Sequence, residues 1–295
     1  MLLQANKCHL AVIEKHSEMK NYIATSILVL LTTTPMDVAN ADAPAVELWR
    51  LDCGKILVED LNDFSDTYAY SGQSKVLVAS CYLIRHGDQY MLWDSGLPKS
   101  DRGLPLQGSG AKGETFTATI AEQLATIGVL PVRVSIMGIS HYHFDHTGQA
   151  EDFPQARLLM GQGDVRALRV ADNPRAAPVA QWLKGAGQLE EVVGDKDVFG
   201  DGSVVMLDLP GHTPGHHGLL VKLPIAGYVL LSGDVAHFRE NYESNGLPAW
   251  NTDRAQTLAS LDRVRRLVAN RHALLILQHE PNDVGKLPIF PRSLR

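Results

Sequence analysis

The sequence predicts a single α/β domain behind a short N-terminal segment of different character. Three observations carry this expectation. Of 295 residues, 45% are hydrophobic and 20% charged, which suits a chain with a buried core and excludes wholesale disorder. Short β-type runs alternate with helical stretches in both halves of the chain. No linker, low-complexity tract or short repeat separates those halves, so residues 42–295 read as one domain. With 27 basic against 33 acidic residues the net charge is −6, and this lack of basic excess argues against a nucleic-acid partner. Three cysteines are too few for a disulfide scaffold or a thiolate metal cluster, whereas twelve histidines are many.

The elements follow in order. Lys20 precedes an apolar run, Tyr22–Leu31, and Ala39-Asn40-Ala41 forms an A-x-A cleavage site. This is the layout of a secretory signal, so residues 1–41 are expected to be removed and the protein exported, periplasmic or secreted. Met19 offers a later start, which would make residues 1–18 an over-extended reading of the gene. A buried N-terminal helix is the competing structural reading. The run is shorter than the about 20 residues that span a bilayer, and no cysteine near the cut offers a lipid anchor. Cys53 and Cys81 would then meet an oxidising compartment, where a disulfide and two separate buried thiols both stay open.

Val46–Leu61 reads as a hairpin around Cys53-Gly54, and Val76–Arg85 with Tyr90–Trp93 as two further strands. Thr115–Ile127 has helical spacing at Phe116, Ile120, Leu124 and Ile127, and Gly128 stops it. Val132–Ile139 reads as a buried strand, Leu158–Met160 as a short strand and Asp164–Val170 as a short helix. Val204–Leu209, Gly218–Leu223 and Tyr228–Leu231 read as strands. Asp253–Asn270 is the clearest helix, capped by Thr252 or Asn251, with Leu258, Leu261, Val264 and Leu267 on one stripe. Ala273–Leu277 is a final buried strand. Residues 62–75 and 96–114 read as long surface loops. Gly108, Gly110 and Gly113 match G-x-G-x-x-G, but no strand leads in and no helix opens there, so the dinucleotide reading is set aside.

The chemistry concentrates at the end of the strand Val132–Ile139. His141, His143, Asp145 and His146 fall within six residues. Imidazole and carboxylate suit zinc and similar divalent ions. His141 and His143 alternate and can leave an extended strand end on one side, while Asp145 and His146 need a turn to reach a neighbouring position. More candidate ligands stand after later strands: His212, Asp234 and His279. Five histidines and two aspartates exceed the four ligands of a closed structural zinc and point to an open site with two ions, if one aspartate bridges. His216 and His217 are candidates for supporting the loop of His212 from behind. No G-x-S-x-G is present, so a serine hydrolase has no foothold.

The pattern His141-x-His143-x-Asp145-His146, with His212, Asp234, His279 and Trp93-Asp94-Ser95-Gly96, resembles the metallo-β-lactamase superfamily. The resemblance spans nearly all of residues 42–295 and implies an αββα sandwich with Asp94 as a supporting group. The β-lactamases proper usually lack the bridging aspartate, glyoxalase II-like enzymes add a C-terminal helical domain, and nuclease branches act on polyanions. The N-acyl-homoserine lactonases are the most similar branch. Phe144, Gly211-His212-Thr213-Pro214-Gly215-His216, Gly233-Asp234-Val235-Ala236-His237 and Gln278-His279-Glu280-Pro281 carry that likeness. One departure is His237, where well-known members have a tyrosine that contacts the substrate carbonyl.

The resemblance implies a quorum-quenching hydrolase with two divalent ions, zinc foremost. His141, His143 and His212 would hold one ion, Asp145, His146 and His279 the other, and Asp234 would bridge. Two ions roughly 3.5–4 Å apart lower the pKa of a bridging water to about 7, and the resulting hydroxide would open the lactone. His237 would help stabilise the oxyanion, and Asp145 would pass a proton to the leaving alkoxide. Phe64, Tyr68, Tyr70, Phe238 and Trp250 are candidates for an acyl groove. The expected partner is a small-molecule lactone, with no nucleic acid and no stable membrane anchor, and a homodimer stays open. The alternatives are a broader esterase or organophosphate hydrolase on the same metals, and a protein that binds a signal lactone without opening it.

Overall fold

The computed structural model describes residues 45–107 and 113–295. The expected export signal, residues 1–41, and the first two glycines of the G-x-G-x-x-G run lie outside them. Within residues 43–295, which form one compact unit, two sheets face each other. The seven-stranded sheet is ordered β4-β1-β2-β3-β5-β6-β7 and the five-stranded sheet β12-β11-β10-β9-β8. The first contains β1 (Val46–Val58), β2 (Lys75–His86), β3 (Gln89–Trp93), β4 (Glu114–Thr115), β5 (Val134–Ile139), β6 (Arg157–Gly161) and β7 (Leu189–Val192). The second contains β8 (Lys196–Asp197), β9 (Val204–Asp208), β10 (His217–Leu223), β11 (Gly227–Leu231) and β12 (Leu274–Ile276). The helices are α1 (Ile120–Thr126), α2 (Phe144–Thr147), α3 (Gln162–Leu168), α4 (Ala180–Leu183), α5 (Arg239–Ser244) and α6 (Arg254–Arg271). Among the described residues no helix is long and apolar enough to cross a membrane.

Strand alternation explains the layers. Tyr82, Ile84, Met91 and Trp93 turn inward from the first sheet to meet Val204, Met206, Leu219, Val221 and Leu231 of the second. The outer face of the first sheet packs on Ile120, Leu124, Val165, Leu168 and Trp182 of the helices. The outer face of the second packs on Leu261 and Val264 of α6. Helix, sheet, sheet, helix is the αββα sandwich, and each strand face is covered because both faces carry apolar residues.

Several local expectations are corrected. Val46–Leu61 is not a hairpin: β1 runs through Cys53-Gly54 with a register shift between Asp52 and Gly54. Gly54 takes φ 132, and a Cβ there would stand 2.3 Å from Leu97 Cδ1. The glycine thus makes a bulge, not a turn, and the bulged strand pairs with β4 at Lys55 and Ile56. The helix expected from Thr115 starts at Ile120, because Glu114 and Thr115 join the sheet and Thr119 with Glu122 forms a capping box. Pro131–Arg133 is a 3-10 turn, so β5 starts at Val134. Asp253, not Thr252 or Asn251, caps α6, accepting from Gln256 N. The strands β7 and β8 escaped the sequence reading: their charged residues Glu190, Glu191 and Lys196 pair with one another and with Arg157 and Arg169 at the surface, which masks an apolar signal.

Cys53 and Cys81 form a disulfide between β1 and β2, both fully buried. Gly96 lies against it at φ 64, and a Cβ at that position would stand 2.6 Å from Cys53 Cβ. The bond therefore sits directly under the loop that follows β3. A Cys53→Ser/Cys81→Ser variant is expected to lose about 2–4 kcal/mol, since the bond closes a loop in the unfolded chain. Urea unfolding of both proteins measures the difference, and reductant should lower the midpoint of the wild type alone.

Candidate metal centre

Five strand ends meet at one edge of the sandwich. β3 and β5 run parallel. β11 and β12 run parallel, and β9 shares their direction because both β9 and β11 are antiparallel to β10. Each of these strands is followed by a residue of the site: Asp94 after β3, His141 to His146 after β5, His212 after β9, Asp234 after β11 and His279 after β12. The apolar strands bury themselves, and the polar groups collect where the ladders end.

The segment after β5 divides as its sequence requires. Ser140 and His141 follow the end of β5, His143 stands at the N-cap of α2, and Asp145 and His146 lie on its single turn. His146 N and Thr147 N both donate to His143 O, at 3.1 and 3.2 Å. Two groups of possible ligands result: His141, His143, His212 and Asp234, and Asp145, His146 and His279.

The donor geometry fits cations. His141 Nε2, His143 Nδ1 and His212 Nε2 approach one another at 2.9–3.1 Å. His212 donates its Nδ1–H to Asn251 Oδ1 at 3.0 Å, and the His141 Nδ1–H points to Ser140 Oγ at 3.1 Å. With those protons committed, Nε2 of each ring presents a lone pair to its neighbours. Three converging lone pairs repel, and a central ion with nitrogens about 2.0–2.1 Å away relieves them. In the second group His146 Nε2 stands 3.5 Å from Asp145 Oδ2, and His279 Nε2 stands 3.4 Å from the same oxygen. His146 Nε2 and Asp234 Oδ1 are buried without a hydrogen-bond partner among the described residues. Asp234 faces both groups: Oδ2 lies 3.5 Å from His141 and His212, and Oδ1 lies 3.4 Å from His146 and 3.1 Å from His279.

The electrostatics agree. Burial holds His141 and His212 well below the usual histidine range and His143 down at about 4, so all three are neutral near pH 7 and able to ligate. Burial opposes ionisation of Asp145 and Asp234, but facing imidazoles outweigh it and keep both carboxyls low, Asp145 at about 2. Burial also pulls His146 down, yet Asp234, Asp145 and Asp94 carry it well above its ordinary value. The pocket is thus built around two carboxylate charges that require positive partners.

Buried groups behind the candidate ligands set their orientation. Asp94 accepts from Ser140 N at 2.7 Å and Ser140 Oγ at 2.9 Å, and His146 Nδ1 lies 2.9 Å from its Oδ2. It occupies a left-handed backbone position, φ 59, which aspartate tolerates. His216, kept neutral at about 3 by burial, donates from Nδ1 to Leu209 O and accepts Asp234 N–H on Nε2 at 2.7 Å. His217 instead holds Gly215 O. His279 Nδ1 donates to Val78 O at 2.8 Å. Asn251 and Thr252, once candidates for the helix cap, serve the His212 loop: the Thr252 hydroxyl donates to His212 O. Neither Asn251 nor Val78 carried a sequence signal for this role.

Above the donors lies a cavity of about 260 Å³, lined by His143, Asp145, Asp234, His237 and His279 at its polar end and by Ile56, Phe64, Leu77, Phe144, Arg175 and Trp250 elsewhere. His237 is buried, and neither ring nitrogen has a hydrogen-bond partner among the described residues. It packs between Phe64, at 4.7 Å, and His279, at 5.6 Å and nearly parallel. Of the five expected groove residues, Phe64 and Trp250 line the cavity. Tyr70 and Phe238 instead pack behind Phe64 in a small core with Val58, Leu61 and Leu77. The Tyr70 hydroxyl accepts from Asn241 Nδ2 at 3.2 Å, and Phe238 is fully buried. Tyr68 is 78% exposed on the surface. An aromatic in a loop has no periodicity to say which way it turns, so these three misled the sequence reading. Ile56 and Leu77 on β1 and β2, and Arg175 in the turn Pro174–Val179, also line the cavity and were missed, because strand alternation says which residues share a face but not what that face meets.

An Asp94→Asn variant keeps the left-handed backbone but removes the carboxylate charge facing His146. It should cost about 10–100-fold in affinity for one bound metal ion. Competition with a chromophoric chelator measures this directly, and unchanged affinity at both positions would contradict the assignment.

Comparison with known proteins agrees with the geometry. Residues 74–279, which include every candidate ligand, match the metallo-beta-lactamase superfamily model. The N-acyl homoserine lactonase AttM of Rhizobium radiobacter is 28% identical over 188 residues, 57% of this chain and 68% of its own length. An N-acyl homoserine lactonase of a Bacillus species is 27% identical over 222 residues, 72% of this chain and 86% of its own. A solved quorum-quenching N-acyl homoserine lactone lactonase superposes with a TM-score of 0.73 at 22% identity, covering 85% of this chain and all of that one. AidC, a dizinc quorum-quenching lactonase in complex with a product, superposes with a TM-score of 0.59 at 16% identity, over 85% of this chain and 90% of its own. The chain belongs to the metallo-β-lactamase superfamily, as a metal-dependent hydrolase resembling the N-acyl homoserine lactonases.

Proposed function

We propose that this protein opens the lactone ring of N-acyl homoserine lactones. The observation that carries the reading is one carboxylate, Asp234, shared by two sets of imidazole and carboxylate donors on the floor of a largely apolar cavity. A polar floor with an apolar wall matches a small ester bearing an acyl chain. His141, His143 and His212 would hold one divalent ion, Asp145, His146 and His279 the second, and Asp234 would belong to both. Zinc suits this donor set. When bound, such ions activate water near neutral pH and polarise the ester carbonyl.

The chain's own residues supply the rest. His237, held below its ordinary range by burial, has Nε2 3.3 Å from Asp234 Oδ2 and would donate a ring N–H to the carbonyl oxygen as negative charge develops there. Asp145 lines the cavity and turns Oδ2 toward His146 and His279. Its other oxygen is left to carry a proton from the attacking water to the departing alkoxide. Phe64, Phe144, Trp250, Ile56 and Leu77 exclude water and take the acyl chain. The disulfide supports export, because such bonds persist in oxidising compartments.

Residues 42–295 loaded with two equivalents of zinc are expected to open lactones of short and long acyl chain. Asp145→Asn should lose about 10²–10⁴-fold in kcat. Trp250→Ala should raise KM more for long chains than for short ones. Faster turnover of aryl esters or phosphotriesters than of lactones would replace this reading with a broader hydrolase. Tight lactone binding without ring opening would replace it with a sequestering protein.

A further inference from the structure

We propose that Asp164 is a positioning residue for the first metal alone, clamping together the two loops that carry His141, His143 and His212. This rests on the two-metal reading above. Asp164 begins no catalytic motif and lies on α3, yet its side chain is fully buried. Its carboxylate has three donors and no cation among the described residues. Oδ1 accepts from Gly215 N at 2.7 Å, and Oδ2 accepts from Thr213 Oγ1 at 2.9 Å and from Tyr142 N at 3.1 Å. Tyr142 stands between His141 and His143, and Thr213 follows His212. All three donors thus belong to the two loops that supply the first group of imidazoles. One backbone bond, His217 N to Ser140 O at 2.9 Å, also joins those loops.

The placement leaves little slack. A Cβ on Gly161 would stand 1.9 Å from Gly215 O, and one on Gly163 would stand 2.4 Å from Pro214 O. The turn from β6 into α3 therefore lies backbone to backbone against the His212 loop, and Asp164 reaches across from a fixed base. A buried carboxylate without a cation is costly unless its donors satisfy it, so the three donors and the acid hold each other in place. The second group is braced differently. Asp94 orients His146, Ser95 N donates to His146 O, and Val78 O receives His279 Nδ1–H. None of these contacts involves Asp164. Asp94 thus backs His146 directly and His141 only through Ser140 Oγ, whereas the contacts of Asp164 all fall on the loops of the first group.

The test is metal affinity, read by zinc titration against a chromophoric chelator, with urea unfolding of the metal-free proteins as the control for folding. Asp164→Asn places an amide N–H₂ against donors. It is expected to weaken one of the two ions by about 10–100-fold and to leave the other within about twofold. Added to His212→Ala, which already cripples the first position, it should change little. Added to His279→Ala, it should weaken the ion that remains. Thr213→Val removes one of the three bonds and should give an intermediate loss, which keeps the test open if Asp164→Asn does not fold. Unchanged affinity at both positions in folded variants would overturn the proposal, as would an equal loss at both. A wild type that binds fewer than two ions would instead overturn the two-metal reading beneath it.

Discussion

The structure depends on a burial that would be unfavourable without metal. Two carboxylates and five imidazoles are packed with their possible ligand atoms facing one another, all but one of them fully or nearly fully buried. Such groups cost several kcal/mol each when left unpaired in a protein interior. Bound metal ions would convert that cost into coordination. The fold is arranged to make this cost unavoidable: the sheets end together, and each of the five strand ends delivers its polar group into the same small volume.

Orientation comes from hydrogen bonds made on the far side of each ring. Asn251, Val78 O and Asp94 face one nitrogen of His212, His279 and His146, and so decide which nitrogen faces the site. His216 acts on the backbone of Asp234, through a contact close enough that a Cβ on Gly233 would lie 2.5 Å from its Nε2. These partners come from α6's N-terminal approach, β2, the β3 loop and the β9–β10 loop. The ligand geometry is therefore a property of the whole sandwich. The disulfide extends the same logic outward, since Gly96 and the loop after β3 rest on Cys53 and Cys81.

The cavity shows how a hydrolase of this superfamily separates chemistry from recognition. Its floor is polar and held by strand ends, which are rigid. Its wall joins Ile56 and Leu77 of β1 and β2 to Phe64, Phe144 and Trp250 of the loops and α2, the last two each 46% exposed. Rigid groups suit reacting atoms, and adaptable aromatic groups suit a flexible chain. His237 stands at the boundary between them, stacked on His279 with Nε2 3.3 Å from Asp234 Oδ2.

Much of this was legible in the sequence by itself. The helix and strand segments, the donors at 141–146 and the supporting roles of Asp94 and His216 rest on local spacing or on a family pattern carried by short motifs. A strand followed by alternating histidines can aim them only one way, and a turn is needed for Asp145 and His146. The tertiary structure alone decided the rest. Whether Gly54 makes a turn or a bulge depends on Leu97, far along the chain. Whether Cys53 and Cys81 pair depends on the β1–β2 register. That Val78 O receives His279 across 201 residues, that Asn251 holds His212 as well as Thr257 of α6, and that Tyr70 and Phe238 fill a core while Ile56 and Leu77 face the cavity all depend on distances between separate segments. Periodicity encodes which face of an element is apolar, but not what that face will meet.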